Sequence, residues 1–83
     1  TGVQTCALPI LEGEAKRMGC RSLNVITTND NIRALAFYQK REFRIREIFH
    51  DAVQRAREMK PEIPAIGDYG IPIVDELLLK KEI

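Results

Sequence analysis

The sequence has no surplus of charge of either sign: 13 Lys and Arg stand against 12 Asp and Glu in 83 residues, a formal net charge of +1. That balance supplies no bulk attraction toward nucleic acid or an anionic membrane surface, so neither is expected as a partner. No apolar run approaches the roughly 18 residues of a membrane span. A signal-peptide pattern, an internal repeat and a low-complexity tract are also missing. Histidine and cysteine are scarce, with His50, Cys6 and Cys20 the whole supply. Metal clusters of the usual His/Cys type are therefore unsupported, and no metal is expected.

The opening decapeptide, TGVQTCALPI from Thr1 to Ile10, resembles at every position the translation of a DNA-sequencing adapter. It is expected to be an adapter-derived scar and is set aside from fold reasoning; the other reading is a genuine segment whose CALPI run is strand-like. Setting Cys6 aside leaves Cys20 as a single thiol without an internal partner. That suits a reducing compartment, so a cytoplasmic location is expected. The same reading expects natural sequence upstream of Leu11, with Leu11–Ile83 the C-terminal portion of one domain. A chain of this size buries only about 60% of its unfolded surface, a poor length for an independent core.

From Leu11 onward the pattern alternates helix and strand. Leu11, Ala15 and Met18 recur at helical spacing, and Gly19 suits a left-handed helix end. SLNVITT alternates with a β-branched bias and reads as a strand. Asn29, Asp30 and Asn31 offer N-cap chemistry for a helix running to about Lys40. On that helix Asn31, Ala34, Leu35 and Tyr38 share one arc, while Ile32, Ala36 and Phe43 form a neighbouring arc suited to packing on a sheet. FRIREIF reads as a second strand. Asp51 and Gln54 have capping-box spacing for the helix AVQRAREMK, which Pro61 ends. Pro61 to Pro72 reads as an ordered loop, and IVDELLLKKEI as a last strand.

The stretch N-x-x-A-x-x-F-Y, filled by Asn31, Ala34, Phe37 and Tyr38, and the longer TTNDNIRALAFYQKREF, AVQRAREMKPEIP and GIPIVDEL runs, resemble the C-terminal half of a GNAT-type N-acetyltransferase. The resemblance implies an α/β fold: a mixed sheet of about three strands with helices, the N-terminal half missing. SLNVITT and FRIREIF would lie parallel across a right-handed crossover, with the last strand inserted antiparallel between them. It also implies acetyl-CoA as cosubstrate and a primary amine as acceptor. The family's Q/R-x-x-G-x-G/A turn, whose amides cradle the CoA diphosphate at a helix start, does not occur in this sequence. It is expected ahead of LEGEAKRMGC, and these residues alone are expected to be inactive.

By that resemblance Tyr38 is the catalytic residue, a proton donor near the departing CoA sulfur. A phenol, with a pKa of about 10, is a weaker acid than a thiol near 8.5, so full transfer is uphill by about 2 kcal/mol. Either the site lowers that barrier, or the hydroxyl stabilises sulfur charge while the proton comes from the amine. Asn31, Ala34 and Phe37 are the expected cofactor-binding residues. Asn31 reads equally as a helix cap, and the small Ala34 leaves room for a cofactor arm. Glu42 stands where the family usually has glycine, which puts the turn after the helix in question. Cys20 reads as a packed residue rather than a nucleophile, since no histidine stands near it. His50 reads as a surface or strand-end residue, and aiding amine deprotonation is its other role. Asp68 and Tyr69 could overhang the acceptor pocket or simply form a turn. A different class of reading is a small non-enzymatic interaction domain that docks a partner strand on the open edge of SLNVITT.

Overall fold

The first helix is short, and charge at its ends supports it. In the computed structural model, which describes residues 4–9 and 11–83, α1 spans Glu12–Arg17, with Glu12 and Glu14 in its first turn and Lys16 and Arg17 in its last. Both placements complement the helix dipole. Gly19 follows with φ 88°, the left-handed geometry expected of it. The apolar arc behaves unevenly: Ala15 is buried, whereas Leu11 is 75% and Met18 59% exposed. A helix of so few residues turns only one position onto the sheet, so the three do not form a buried face.

Four strands form one sheet in the order β1-β2-β4-β3, where β1 is Gln4–Ala7, β2 Cys20–Thr28, β3 Arg44–Phe49 and β4 Glu76–Glu82. Strand β4 runs antiparallel to both β2 and β3, with Val25 opposite Leu79 and Ile45 opposite Leu79. The insertion of the last strand between the two parallel ones is as expected. The sheet gains its fourth strand because Gln4–Ala7 pairs parallel with β2. Backbone pairing of this kind accepts most sequences and does not speak to the segment's origin. It does mean that the edge of SLNVITT is covered from Cys20 to Asn24. It also brings Cys6 beside Cys20, Cα atoms 6.0 Å apart, and the two are disulfide-bonded. In this chain Cys20 is therefore bonded to Cys6 rather than a free thiol, a pairing whose second half lies outside Leu11–Ile83.

Strand alternation sorts the side chains. Leu23 and Leu79 are buried with Ala15, Cys20 and Phe43, and Val25, Leu77, Leu35 and Tyr38 pack against them. Asn24, Ile26 and Leu78 point to the opposite face, where Ile26 is 55% exposed. Helix α2, Ile32–Lys40, meets the sheet through Leu35 and Tyr38. Of the arc expected to pack, Phe43 is buried in the core, whereas Ile32 and Ala36 lie outward and exposed. Leu35 and Tyr38 occupy the space over Leu23, Phe43 and Leu79 instead. An i, i+3 pair then reaches the core.

The α2 C-terminus is a Schellman turn. Glu42 has φ 74°; its amide bonds to the Gln39 carbonyl at 3.1 Å, and the Phe43 amide to the Tyr38 carbonyl at 3.0 Å. The Phe43 and Tyr38 rings meet edge-on at 5.2 Å, the apolar contact that accompanies this motif. The glycine-like geometry is therefore kept by a glutamate.

Helix α3, Ala52–Met59, starts without the expected capping box. Asp51 is left-handed, with φ 61° and no side-chain cap, so its carboxylate does not reach the first-turn amides. The Val74 carbonyl accepts from Val53 at 2.9 Å instead. Gln54 accepts from Arg57. Arg57 also donates to the carbonyls of Ile63, Pro64 and Ile73 at 3.1, 2.8 and 2.8 Å. One planar guanidinium thus gathers both ends of the 61–73 loop. The loop is ordered as expected, with a 3₁₀ turn at Asp68–Gly70. The last strand begins at Glu76 rather than Ile73, because the amides of Val74 and Asp75 bond to Asn29 instead of to a strand.

Candidate active site

Strands β1 and β2 part company after a few rungs. Their register ends at Ala7 opposite Asn24, and the Leu8 amide donates to the Asn24 carbonyl at 3.0 Å. Beyond that rung β2 runs on to Thr28 with β4 on one side and no β1 partner on the other. Two cavities open where the strands diverge, and Leu8 borders both.

On the helix side a cavity of about 380 Å³ is lined by Leu8, Pro9, Leu11, Phe37 and Tyr38. Tyr38 is half-buried, held edge-on between Phe37 and Phe43 at centroid distances of 5.2 Å each. Its backbone carbonyl anchors the Schellman turn. Phe37 carries the Arg41 guanidinium at 3.5 Å over its ring, and the same guanidinium donates to the Phe37 carbonyl at 3.1 Å. A phenol and an exposed aromatic face thus border one apolar recess, a wall suited to an acyl or thioether chain with a single polar handle.

Asn31 and Ala34 do not line that recess. The Asn31 carboxamide oxygen accepts from the Ala34 amide at 3.2 Å, capping α2. Its two neighbours do different work. Asn29 donates to the Pro72 carbonyl at 2.9 Å and accepts from the amides of Val74 and Asp75 at 2.9 and 3.0 Å. Asp30, buried, accepts from the Thr28 hydroxyl and from the Asp68 amide at 3.1 Å. Those bonds, the Thr28 hydroxyl first, hold its carboxyl below the usual range against the opposing effect of burial. A Cβ on Gly67 would stand 2.0 Å from the Asp30 carboxylate, so only glycine lets the loop approach so closely. The polar run NDN is therefore a set of backbone anchors tying the 61–73 loop to the start of α2.

Asp68 and Tyr69 lie elsewhere than over Tyr38. They line a separate cleft of about 280 Å³ with Arg33, whose guanidinium is reinforced as a cation by the Tyr69 hydroxyl and then by Asp68. Arg33 and Tyr38 are five residues apart on α2, about 7.5 Å along its axis and on different sides. His50 is exposed just after β3, as expected. Among the described residues no cluster of three or more His, Cys, Asp or Glu could hold a metal ion.

On the other sheet face a cavity of about 340 Å³ is lined by Ala7, Leu8, Asn24, Val25, Ile26 and Leu78. Asn24 escaped the sequence reading. Its signal was available, since a carboxamide flanked by Leu23 and Val25 in the middle of a strand is an unfavoured choice.

No protein-family model matches the chain. Two proteins of Bacillus subtilis strain 168 are similar to it over 82 residues: the uncharacterized proteins YxbD, 51% identical, and YdhI, 46% identical, each aligned to 99% of this chain. The chain spans about half the length of these curated relatives, 52% and 51%. Among solved structures, a Bacillus subtilis acetyltransferase in complex with CoA superposes with a TM-score of 0.73 at 31% identity, over 86% of this chain and 43% of that one. An IAA acetyltransferase from Bacillus cereus ATCC 14579 gives 0.73 at 34%, over 86% and 44%. A GNAT family acetyltransferase from Elizabethkingia anophelis with acetyl-CoA bound gives 0.69 at 28%, over 84% and 42%. The α/β architecture and its mixed sheet match the GNAT acetyltransferase fold over the part compared.

Proposed function

We propose that Leu11–Ile83 is the thioester-facing, C-terminal portion of an acetyl-CoA-dependent N-acetyltransferase acting on a primary amine. The observation that carries this reading is Tyr38 itself, a half-buried phenol held edge-on between Phe37 and Phe43 on the helix that follows β2, beside the stretch of β2 from Val25 to Thr28 that pairs with β4 alone. Two of the similar structures hold CoA or acetyl-CoA, which supports the same cosubstrate here. Phe37 and Tyr38 offer the acyl end of that molecule an apolar wall with one polar handle. In this reading the diphosphate cradle lies outside these residues, and the half-length match to relatives supports that.

Tyr38 takes the role of hydrogen-bond donor to the thioester sulfur. As the amine nitrogen attacks the carbonyl carbon, the carbon–sulfur bond breaks and negative charge collects on sulfur, where a positioned hydroxyl stabilises it. The proton that finally neutralises the thiolate comes from the attacking amine. Phe37 stands beside the phenol as an apolar wall, and Asn31 holds the first turn of α2 so that Tyr38 keeps its place. Ala34, about one turn before Tyr38 on α2, is small enough for a cofactor arm to lie against it.

Amine-dependent thiol release tests this, measured with the uninterrupted gene product that contains Leu11–Ile83. Tyr38→Phe should lower the turnover rate by about 10²- to 10⁴-fold while CoA affinity, by titration calorimetry, changes little. An unchanged rate removes Tyr38 from the chemistry, and an absence of CoA binding removes the proposal.

A further inference from the structure

Arg33, from the first turn of α2, and Asp68 and Tyr69, from the 3₁₀ turn of the 61–73 loop, line a cleft of about 280 Å³. Opposite charges border it, yet among the described residues neither Arg33 nor Asp68 takes part in an ion pair. Helix stability does not account for Arg33, because a cation in a first turn stands at the positive end of the helix dipole. Packing does not account for Tyr69, which is 68% exposed at a backbone φ of 60°, a left-handed geometry that residues with a Cβ rarely adopt. The turn is nonetheless fixed. The Asp68 amide donates to the Asp30 carboxylate at 3.1 Å, the Gly67 amide to the Ile71 carbonyl at 2.8 Å and the Ile73 amide to the Ala65 carbonyl at 2.9 Å. The cleft is therefore held in shape ahead of any ligand, and its three lining residues all belong to Leu11–Ile83.

We propose that this cleft binds the head group of a free α-amino acid, its carboxylate on the Arg33 guanidinium and the Tyr69 hydroxyl and its ammonium on the Asp68 carboxylate. The inference goes beyond the acetyltransferase reading and uses neither Tyr38 nor CoA. Charge selects the ligand. A simple carboxylate answers Arg33 but brings a like charge beside Asp68, and a simple amine does the converse beside Arg33. A phosphate dianion or a divalent cation doubles one of those repulsions. An α-amino acid carries both charges on one carbon, so it answers both walls and leaves the cleft neutral. The planar fork of the guanidinium matches a carboxylate, and the phenol hydroxyl supplies a further donor to it. Size agrees: the volume falls just short of the roughly 300–1,000 Å³ of a complete small-molecule site, which suits a head group with a short side chain. A longer peptide separates its terminal charges and does not fit both walls. The ligand forms no covalent bond here; the cleft binds and orients it.

Nuclear magnetic resonance titration of the isotopically labelled, uninterrupted gene product with L-alanine tests this, with L-alanine methyl ester and propionate as probes that lack one charge each. L-Alanine should move the Arg33 Nε–H and Tyr69 ring signals. Each single-charge probe should bind about tenfold more weakly or worse, as for the loss of one charge-assisted hydrogen bond. Arg33→Gln and Asp68→Asn should each weaken L-alanine binding about tenfold, while Lys40→Gln, at the other end of α2, should leave it as it was. The comparison of probes is made on the parent protein, so it decides the matter even where a variant fails to fold. The inference is overturned if L-alanine leaves the Arg33 and Tyr69 signals still, if propionate or the ester binds as tightly as L-alanine, or if neither substitution weakens binding. CoA titrated in parallel reads Phe37 and Tyr38 instead, so this inference and the acetyltransferase reading fall separately.

Discussion

Replacing Glu42 by glycine should stabilise the protein, and the size of the gain follows from the turn it occupies. Glu42 sits at φ 74° in the left-handed position of the Schellman turn, where a side chain with a Cβ costs about 1–2 kcal/mol. Glycine removes that cost but has a freer unfolded chain, which gives back about 0.4–1 kcal/mol. The carboxylate has no compensating role, since Glu42 is exposed and takes no part in the ion pairs of the described residues. The net expectation is a gain of about 0.5–1 kcal/mol. For a domain of 60–100 residues that raises Tm by roughly 2–8 °C.

Thermal unfolding followed by circular dichroism checks it, with Glu42→Ala as the control. Alanine keeps the Cβ and so keeps the strain; it should melt within about 1 °C of the parent. Asparagine, which tolerates left-handed backbone better than most residues, should fall between. If glycine and alanine melt together, the strain is not located at Glu42. If glycine melts lower than the parent, the reasoning from backbone geometry is wrong.

Arg57 offers a test of the loop. Arg57→Ala abandons the carbonyls of Ile63, Pro64 and Ile73 and should cost about 2 kcal/mol, with faster amide exchange at Gly67 and Ile71 while β2 and β4 stay protected; Arg57→Lys, lacking the fork, should recover only part. Asp30 offers a test by pH. Its folded carboxyl titrates below the usual value, so its contribution is present above the unfolded pKa of about 3.9 and is lost as pH falls through the folded one. Parent and Asp30→Asn should therefore differ most in Tm near pH 7 and converge in acid, once the folded carboxyl protonates. Parallel curves would show that Asp30 is not a source of acid sensitivity.

Much of the architecture was legible because it depends on short-range chemistry that the residues state directly. Gly19, the β-branched run in SLNVITT and the NDN cap each act within a few positions. The antiparallel insertion of β4 was legible only through resemblance, since strand order is a long-range property that no local period encodes. What was misread shares one cause. The Asp51 cap, the outward turn of Ile32 and Ala36, and the late start of β4 were each decided by a partner far along the chain: Val74 supplies the α3 cap, Leu35 and Tyr38 take the space over Leu23, Phe43 and Leu79, and Asn29 takes the amides that Val74 and Asp75 would have given to a strand. At the site, the motif drew attention to Tyr38 and Phe37, which do share a recess. Asn24 stands out in the sequence only as a carboxamide inside a strand; that its side-chain oxygen is buried without a partner among the described residues follows only from its surroundings.

The placement of Tyr38 then becomes a tertiary matter more than a helical one. A nine-residue helix is well below the roughly 12–15 residues at which an isolated helix becomes even marginal in water, so α2 is held from its ends. At its start Asn31 caps it, while Asn29 and Asp30 bind that cap to the 61–73 loop; at its finish the Phe43 amide grips the Tyr38 carbonyl. The loop is in turn gathered by Arg57 from α3. Residues with no contact to the recess thus share control of the phenol's position, and the order of their effects is set by chain geometry. Loosening the loop at Arg57 frees the far end of α2, five or more residues from Tyr38, whereas disturbing the Schellman turn acts on the Tyr38 backbone itself. Stabilising that turn with glycine should therefore leave Tyr38-dependent chemistry intact, and an insertion between Glu42 and Phe43 should abolish it even in a protein that still folds.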